Sequence, residues 1–156
     1  MFQVPNKIKV VRGASPVTTN GGVTADYISM KNVHRAYVVC HMTQAVGHAT
    51  GIDPVQATAV DGTGAKAFAN VLPIWSNEDC AASSTLAIQT AAITYNVAAT
   101  VKNKIVVFQV DADALDVAND FDVLGVTVDD SSQATNLISI EYWLEMRYPD
   151  AEVITD

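Results

Sequence analysis

Only two cysteines and three histidines occur among the 156 residues, so few side chains are available to act as nucleophiles or metal ligands. Cys40 and Cys80 lie far apart and outside any C-x-x-C spacing, which favours two separate thiols over a disulfide, a redox pair or a zinc site. His34, His41 and His48 recur every seven residues, but the chain around them is predicted to be a strand. Positions 34 and 41 have opposite parity and would point to opposite faces. We therefore expect no metal site built from Cys or His side chains, and no cofactor.

Positive charge is also scarce, with nine Lys and Arg residues against 17 Asp and Glu residues and a formal net charge of -8. Nucleic-acid binding usually needs a basic face that releases counterions, and such a face is not evident here. No apolar run approaches the roughly 18 residues that cross a bilayer, and no secretion signal is evident. The composition predicts a soluble protein without a nucleic-acid or membrane partner.

Familiar catalytic motifs are missing as well. The segment from Gly62 to Lys66 (GTGAK) lacks the spacing of a phosphate-binding loop, and no G-x-S-x-G elbow occurs. Cys40 and His41 are strand neighbours that point apart, and Cys80 follows two acidic residues that would raise its thiol pKa. We expect that the protein is not an enzyme.

What the sequence does contain is a series of short segments with strand character. Residues 138–148 alternate between apolar side chains and a set that is polar except for Trp143, which predicts one face in the core and one in water. In residues 34–42, Ala36, Val38, Cys40 and Met42 would face one way and Tyr37, Val39 and His41 the other. Residues 105–110 form a nearly continuous β-branched and aromatic run typical of a strand covered on both faces. Weaker strand signals lie at 26–30, 55–60, 66–75, 88–97 and 121–128.

These segments predict an all-β fold, a jelly roll or β-sandwich of about eight short strands, with an open barrel as the alternative. We expect an extended N-terminal arm at residues 1–22, a single β domain at 23–150 and a C-terminal tail at 151–156. A short apolar run at 8–11 falls inside the expected arm. A short helix near Cys80 is a further possibility.

Five aspartates follow the 105–110 strand, at positions 111, 113, 116, 120 and 122. One interpretation is that Asp113 caps a short helical turn at Ala114–Ala118 and that the others face solvent. The other is a calcium site formed by Asp111, Asp113 and Asp116, although the EF-hand pattern is missing. Sequence alone leaves both open.

Aromatic residues are few, at 7% of the chain, and Trp143 is the most informative of them. It falls on the polar face of the 138–148 strand, where an exposed aromatic side chain indicates a partner surface. Tyr37, Trp75, Tyr95 and Tyr148 could share in such a platform or serve as core anchors. For a partner interface we single out Phe2, Val4, Pro5 and Trp143.

The chain resembles the small decoration, or cement, proteins of tailed bacteriophages. The similarity is one of general sequence character and extends over most of the chain. It is carried by ADYISMKN at 25–32, AYVV at 36–39, PIWSNED at 73–79, residues 102–109, Leu115-Asp116 with Phe121-Asp122, and EMRY at 145–148.

This resemblance implies a compact β fold on the outer surface of the virion capsid, made in the host cytoplasm and bridging major capsid protein subunits. It implies a homo-oligomer, dimer or trimer, and carries over no catalytic residue. The alternative that we keep is a non-catalytic β-sandwich binding module, either a phage tail component or a glycan binder.

Overall fold

The computed structural model describes residues 7–148 and confirms the predicted all-β class. Within these residues the chain forms twelve strands, several of them only two residues long. They are β1 (Ile8–Thr18), β2 (Val23–Thr24), β3 (Ile28–Ser29), β4 (Val33–Thr43), β5 (Gly51–Ala57), β6 (Lys66–Ala67), β7 (Ile74–Asn77), β8 (Ala87–Ile88), β9 (Tyr95–Asn96), β10 (Asn103–Asp111), β11 (Val123–Val128) and β12 (Leu137–Met146).

The strands form two antiparallel sheets of six strands each, which makes the fold a β-sandwich. The front sheet has the order β1-β12-β4-β10-β7-β8. The back sheet has the order β2-β11-β5-β6, with β3 also paired to β11 and β9 also paired to β5. Apart from β7 and β8, neighbouring strands in the front sheet are distant in sequence, so its face combines segments from both ends and the middle of the described chain.

One hydrophobic core lies between the sheets, and strict alternation explains how the front sheet contributes to it. In β12, Ile138, Ile140, Tyr142 and Leu144 are at most 1% exposed, whereas the residues between them face outward. The Tyr142 hydroxyl donates a hydrogen bond to the Asp26 carbonyl at 2.9 Å, so its polar end is satisfied inside the core. The predicted division of this strand into a core face and a wet face is confirmed.

The arm expected at residues 1–22 is wrong for residues 8–18. Residues 8–18 form β1, which pairs with β12 from Ile8↔Glu145 to Thr18↔Leu137 and belongs to the β domain. Gly13 and Pro16 suggested irregular chain, but β1 is an edge strand, where glycine and proline are tolerated, and its register shifts between Arg12 and Val17. Residues 1–6, with Phe2, Val4 and Pro5, lie outside the described residues, as does the tail.

Two other predicted strands are each divided between the sheets. The segment 66–75 contributes β6 to the back sheet and β7 to the front sheet, and the segment 88–97 contains the end of β8 in the front sheet and β9 in the back sheet. A chain that crosses from one sheet to the other cannot remain one strand. The segment predicted at 55–60 is also shifted, because β5 spans Gly51–Ala57.

The acidic turn differs from its prediction in detail. Two 3₁₀ turns, Ala112–Ala114 and Val117–Asn119, replace the single turn at 114–118, because the buried Leu115 between them is extended and contributes to the core. Asp113 lies inside the first turn and does not cap it. The possible helix near Cys80 is only a hydrogen-bonded turn that starts at Asp79.

Candidate functional site

The outer face of the front sheet carries a row of apolar and aromatic side chains near one edge. Strand register places Val10 of β1 opposite Trp143 of β12, and Trp143 opposite Tyr37 of β4. Val10 is 54% exposed and Trp143 is 40% exposed, while Tyr37 is half-buried. The prediction that Trp143 lies on the outer face is confirmed.

A second row on the same face continues to the opposite edge of the sheet. Val39 of β4 lies opposite Val107 of β10, Val107 opposite Trp75 of β7, and Trp75 opposite Ile88 of β8. Ile88 is 75% exposed, whereas the three side chains inside the sheet are half-buried. Together the two rows form the apolar band: Val10, Tyr37, Val39, Trp75, Ile88, Val107 and Trp143.

The apolar band contradicts one expectation about β10. Val106, Phe108 and Val110 are fully buried in the core, but Ile105, Val107 and Gln109 on the other side are only half-buried. No strand or helix within residues 7–148 covers that side, so the strand is not covered on both faces. The apolar side chains on the outer side of β10 instead form part of the exposed outer face of the front sheet.

Two further apolar side chains extend the band at the β8 edge. Leu72 and Ala92 form an isolated bridge, which sets Val71 beside Ile93. Because Leu72 is buried, alternation turns Val71 outward, and it is 61% exposed. The exposed apolar surface therefore continues onto the segments that precede β7 and β9.

Charged side chains border the band and nearly neutralise one another. Arg35 forms an ion pair with Asp111, which raises the pKa of the arginine, and Glu145 lies opposite Arg35 on β12. On the other side of the Val10 row, Arg12 lies opposite Glu141. The charged residues that face outward on β1, β12, β4 and β10 are two arginines and three acids. Their net charge is therefore -1, whereas the net charge of the whole chain is -8. An apolar centre with a balanced polar border is typical of a protein interface.

Trp143 is held in place on this face by its neighbours. Its indole Nε1 donates a hydrogen bond to Glu141 Oε2 at 3.1 Å, and the ring lies between its cross-strand neighbours Val10 and Tyr37. An aromatic side chain that is already ordered loses little conformational entropy when it binds. Trp143 is thus a suitable anchor residue.

A buried polar network secures the loop that carries Ile88. Lys104 at the start of β10 has a fully buried side chain, and its Nζ lies 3.0 Å from Glu78 Oε2 and also donates to the Ala98 carbonyl. The Tyr95 hydroxyl donates to Glu78 Oε1 at 2.8 Å, and Ser76 is hydrogen-bonded to that hydroxyl. The network joins both ends of the 78–98 connection to β10.

Cys40 and Cys80 are free thiols, as predicted. Cys40 lies in the core, and burial raises its thiol pKa to about 12. Partial burial and the charges of Asp79 and Glu78 raise the thiol pKa of Cys80, the expected direction. Neither cysteine is an activated nucleophile at neutral pH.

The histidines do not divide between the two faces as their parity suggested. A bulge in β4 between Val33 and Arg35 interrupts the alternation, so His34 and His41 are both exposed. Within residues 7–148 no group of three or more His, Cys, Asp or Glu side chains is arranged to hold a metal ion.

The aspartates of the acidic turn are engaged with cations of the chain itself. Asp111 pairs with Arg35, and Asp116 Oδ2 lies 2.6 Å from Lys66 Nζ. The bond with Lys66 lowers the carboxyl pKa of Asp116. Asp113 is exposed within the first 3₁₀ turn. This pairing favours the structural interpretation over the calcium alternative.

Tyr95 and Tyr148, the other aromatic residues suggested for a binding platform, do not lie in the apolar band. Tyr95 belongs to the back-sheet pairing and to the buried network, and Tyr148 lies beyond the end of β12 with 66% of its surface exposed. Ile88, which no aromatic pattern could indicate, lies beside Trp75 instead. Two sequence signals pointed to the second row, namely Trp75 as a candidate platform residue and the apolar side chains at alternate positions of β10 that face outward.

Comparison with known proteins finds no matching family model, curated protein or solved structure. No helix in the described part of the chain is long and apolar enough to span a membrane.

Proposed function

We propose that the protein is a non-catalytic structural protein of a phage virion, which binds the outer surface of the capsid and stabilises contacts between major capsid protein subunits. The observation that carries this proposal is the apolar band, an exposed sheet face with aromatic anchors and a nearly neutral polar border. The resemblance to cement proteins supplies the identity of the partner.

The charge distribution supports this assignment. The band has little net charge, while most of the excess of acids lies elsewhere on the chain. A protein with this distribution can approach a protein lattice through the band and keep an acidic surface toward solvent. It is poorly suited to a DNA-filled interior or to a membrane surface.

Stabilisation of a capsid needs only binding that favours the assembled lattice over free subunits. At a free concentration one hundred times Kd, such binding contributes about 2.7 kcal/mol per site by mass action. Repeated over a shell, modest contacts therefore raise the resistance of the lattice to unfolding and to internal pressure.

The test uses expanded, undecorated capsids assembled from the major capsid protein encoded nearest to this gene. Co-sedimentation measures binding, and calorimetry measures the melting temperature of the capsid. We expect saturable binding and a higher melting temperature. The proposal is wrong if neither is seen with folded protein.

Matched variants locate the contact on the band. Trp143→Glu places a charge within the first row of the band, Ile88→Glu places one at the end of the second row, and Val117→Glu places one at an exposed apolar position in the second 3₁₀ turn. We expect the first two to weaken capsid binding at least tenfold and the third to bind normally, because aromatic anchors dominate interfaces. Equal binding by all three would remove the band from the interface.

A deletion tests the predicted contribution of Phe2, Val4 and Pro5. The deletion must stop at residue 6, since residues 8–12 belong to β1. Loss of capsid affinity in a folded variant would support a contact by the N-terminal segment, and unchanged affinity would contradict it.

The alternative, glycan binding, is favoured by one observation, that Trp143 and the half-buried Tyr37 lie opposite each other on the outer face of the front sheet. Aromatic rings on such a face can stack against sugar rings. Titration of Trp fluorescence with a glycan panel tests this alternative, and a response that is lost in Trp143→Ala, together with no capsid binding, would favour it.

A further inference from the structure

The strand β8 is an end strand of the front sheet, and its main chain is available on the side away from β7. Trp75 of β7 lies opposite Ile88, and the Gln89 N–H donates to the Ile74 carbonyl at 2.9 Å. Hydrogen-bonded pairs alternate along an antiparallel ladder, so the N–H and C=O of Ile88 point away from β7. Among residues 7–148 no strand pairs with that side of β8.

The chain around this edge lacks the features that usually protect a sheet edge. Charge, proline and bulges normally prevent edge strands from pairing with other molecules. Residues 80–101 contain no charged residue, no histidine, no proline and no glycine, although charged residues make up 17% of the whole chain. At the opposite edge of the same sheet, β1 contains Gly13, Pro16 and an irregular register. The β8 edge is therefore the one suited to accept another strand.

The apolar side chains at this edge are exposed. Ile88 is 75% exposed, and Leu86, which directly precedes β8, is 42% exposed. The two residues have the same parity, so alternation places both on the outer face of the front sheet and Ala87 on the other face. Pairing at the edge would remove two large apolar side chains of each copy from water.

A second copy of the chain fits this edge because no net charge opposes its approach. The nearest charged residues are already joined in ion pairs, Lys102 with Asp79 at 2.7 Å and Lys104 with Glu78 at 3.0 Å. Residues 78–104 thus have no net charge, and the formal charge of -8 lies on the rest of the chain. Two acidic molecules repel each other least where such neutral segments meet. A partner recognised by its charge would find no charge here to complement.

Antiparallel pairing of two β8 edges is self-complementary in one register. When Ala87 lies opposite its counterpart, Leu86 of each copy lies opposite Ile88 of the other, which gives two apolar cross-strand pairs on one face. Leu86 and Ile88 then form hydrogen-bonded pairs, and Ala87 forms the closer, non-hydrogen-bonded pair that its small side chain permits. A contact of this kind is isologous, so it closes at two copies.

We infer that β8 pairs in this antiparallel register with β8 of a second copy, so that two front sheets join into one continuous sheet in a dimer. The contact uses the strand edge and does not depend on the proposed function. Main-chain hydrogen bonds and the Leu86 and Ile88 side chains supply the affinity. Because the contact is small, the dimer should dissociate reversibly on dilution.

Sedimentation velocity of the full chain over a range of concentrations tests for this equilibrium, and hydrogen exchange locates the contact. We expect a monomer–dimer equilibrium in which the Ile88 amide is protected in the dimer and exchanges rapidly in the monomer. A chain that stays monomeric at high concentration, or forms trimers, would overturn the inference. Protection of the Ile88 amide in the monomer would do so too, because the edge would then be covered by its own chain.

Complementary charges test the register. Leu86→Glu and Ile88→Lys each set a charge against an apolar side chain of the second copy, so each variant alone should dimerise at least about tenfold more weakly. In a mixture the introduced carboxylate faces the introduced ammonium group, and the unchanged pair remains apolar. The mixture should therefore associate more tightly than either variant, and no gain on mixing would contradict this register. Val117→Glu, at an exposed apolar position in the second 3₁₀ turn, is the control and should dimerise normally.

A disulfide provides a direct measure of proximity. Non-hydrogen-bonded pairs bring their Cα atoms to about 4.5 Å, a separation that a disulfide can bridge. Ala87→Cys in a Cys80→Ser background should therefore form a covalent dimer under a mild oxidant. Thr85→Cys in the same background is the control, because it would lie four positions out of register, about 13 Å from its counterpart. Equal cross-linking of the two variants would contradict the proposed pairing.

Trp143→Glu separates edge pairing from association through the apolar band. The strands β4, β10 and β7 lie between β12 and β8, so this substitution should leave the dimer unchanged. A dimer that is lost in Trp143→Glu and kept in Leu86→Glu would assign self-association to the band and overturn the inference.

Discussion

Removal of the Glu78 carboxylate should destabilise the protein strongly, because it leaves the ammonium group of Lys104 buried without a counter-charge. The Lys104 side chain is fully buried, and its remaining partner would be the neutral Ala98 carbonyl. Breaking a buried ion pair by removing one partner costs about 3–5 kcal/mol.

The structure places the expected cost near the lower limit of that range. The Glu78 side chain is 30% exposed, so water can enter the space that Glu78→Ala creates and partly solvate the ammonium group. We therefore expect a loss of about 3 kcal/mol in the free energy of unfolding. For a chain of this size, that corresponds to a decrease of roughly 6–12 °C in melting temperature.

The opposite substitution should cost much less. Lys104→Met removes the buried charge and keeps an unbranched side chain in the core, and the partly exposed Glu78 can then be hydrated. We expect a loss of about 1 kcal/mol, the contribution of a typical hydrogen bond. Adding Glu78→Ala to Lys104→Met should cost little more.

Urea denaturation of the two single variants and the double variant measures this asymmetry, and Glu78→Gln serves as the control that keeps size and an acceptor oxygen. Equal losses for Glu78→Ala and Lys104→Met, or a loss below about 1 kcal/mol for Glu78→Ala, would show that the ammonium group is not buried in solution. Hydrogen exchange of the 78–98 connection should rise in Glu78→Ala, since this network secures it.

Gly125→Ala should cost about 1–3 kcal/mol in urea denaturation, because its Cβ would lie 2.4 Å from the Tyr27 ring, and Tyr27→Leu should reduce that cost. An alkylating reagent at pH 8 should modify Cys80 in the folded protein but reach Cys40 only after unfolding, and two fast-reacting thiols would contradict the buried position of Cys40. The bond with Lys66 lowers the carboxyl pKa of Asp116 in the folded state, so the stability that it contributes is present above the ordinary pKa of 3.8 and is lost as the pH falls from there through the lower pKa of the folded state. Asp116→Asn should therefore lose less stability on acidification than the unmodified protein, as urea denaturation between pH 2 and pH 6 would show.

The alternation in β12 was sufficient to predict which of its side chains face the core, because a period of two has no competing interpretation over ten residues. β1 could not be predicted in the same way. Gly13 and Pro16 are typical of loops, and only the position of β1 at the sheet edge, a tertiary property, makes them compatible with a strand.

Lys104 shows a different limit of sequence reasoning. It follows a turn-like Lys-Asn pair, and a lysine in such a place is normally exposed. Its burial depends on Glu78 and on the Ala98 carbonyl, which the 78–98 connection brings to the start of β10 from elsewhere in the chain. No local pattern encodes that contact.

The apolar band could be predicted in part from local alternation, but its assembly depends on the tertiary structure. Parity alone places Trp143 outward, but its neighbours follow from a strand order that joins β12 to β4 and β4 to β10. Tyr37, Val107 and Ile88 are far apart in sequence and become one surface only through that register. An interface built in this way has its central residues in strands that also form the core. Substitutions at its exposed residues Trp143 and Ile88 can therefore separate binding from stability, whereas substitutions at the less exposed Val39 or Val107 would change both.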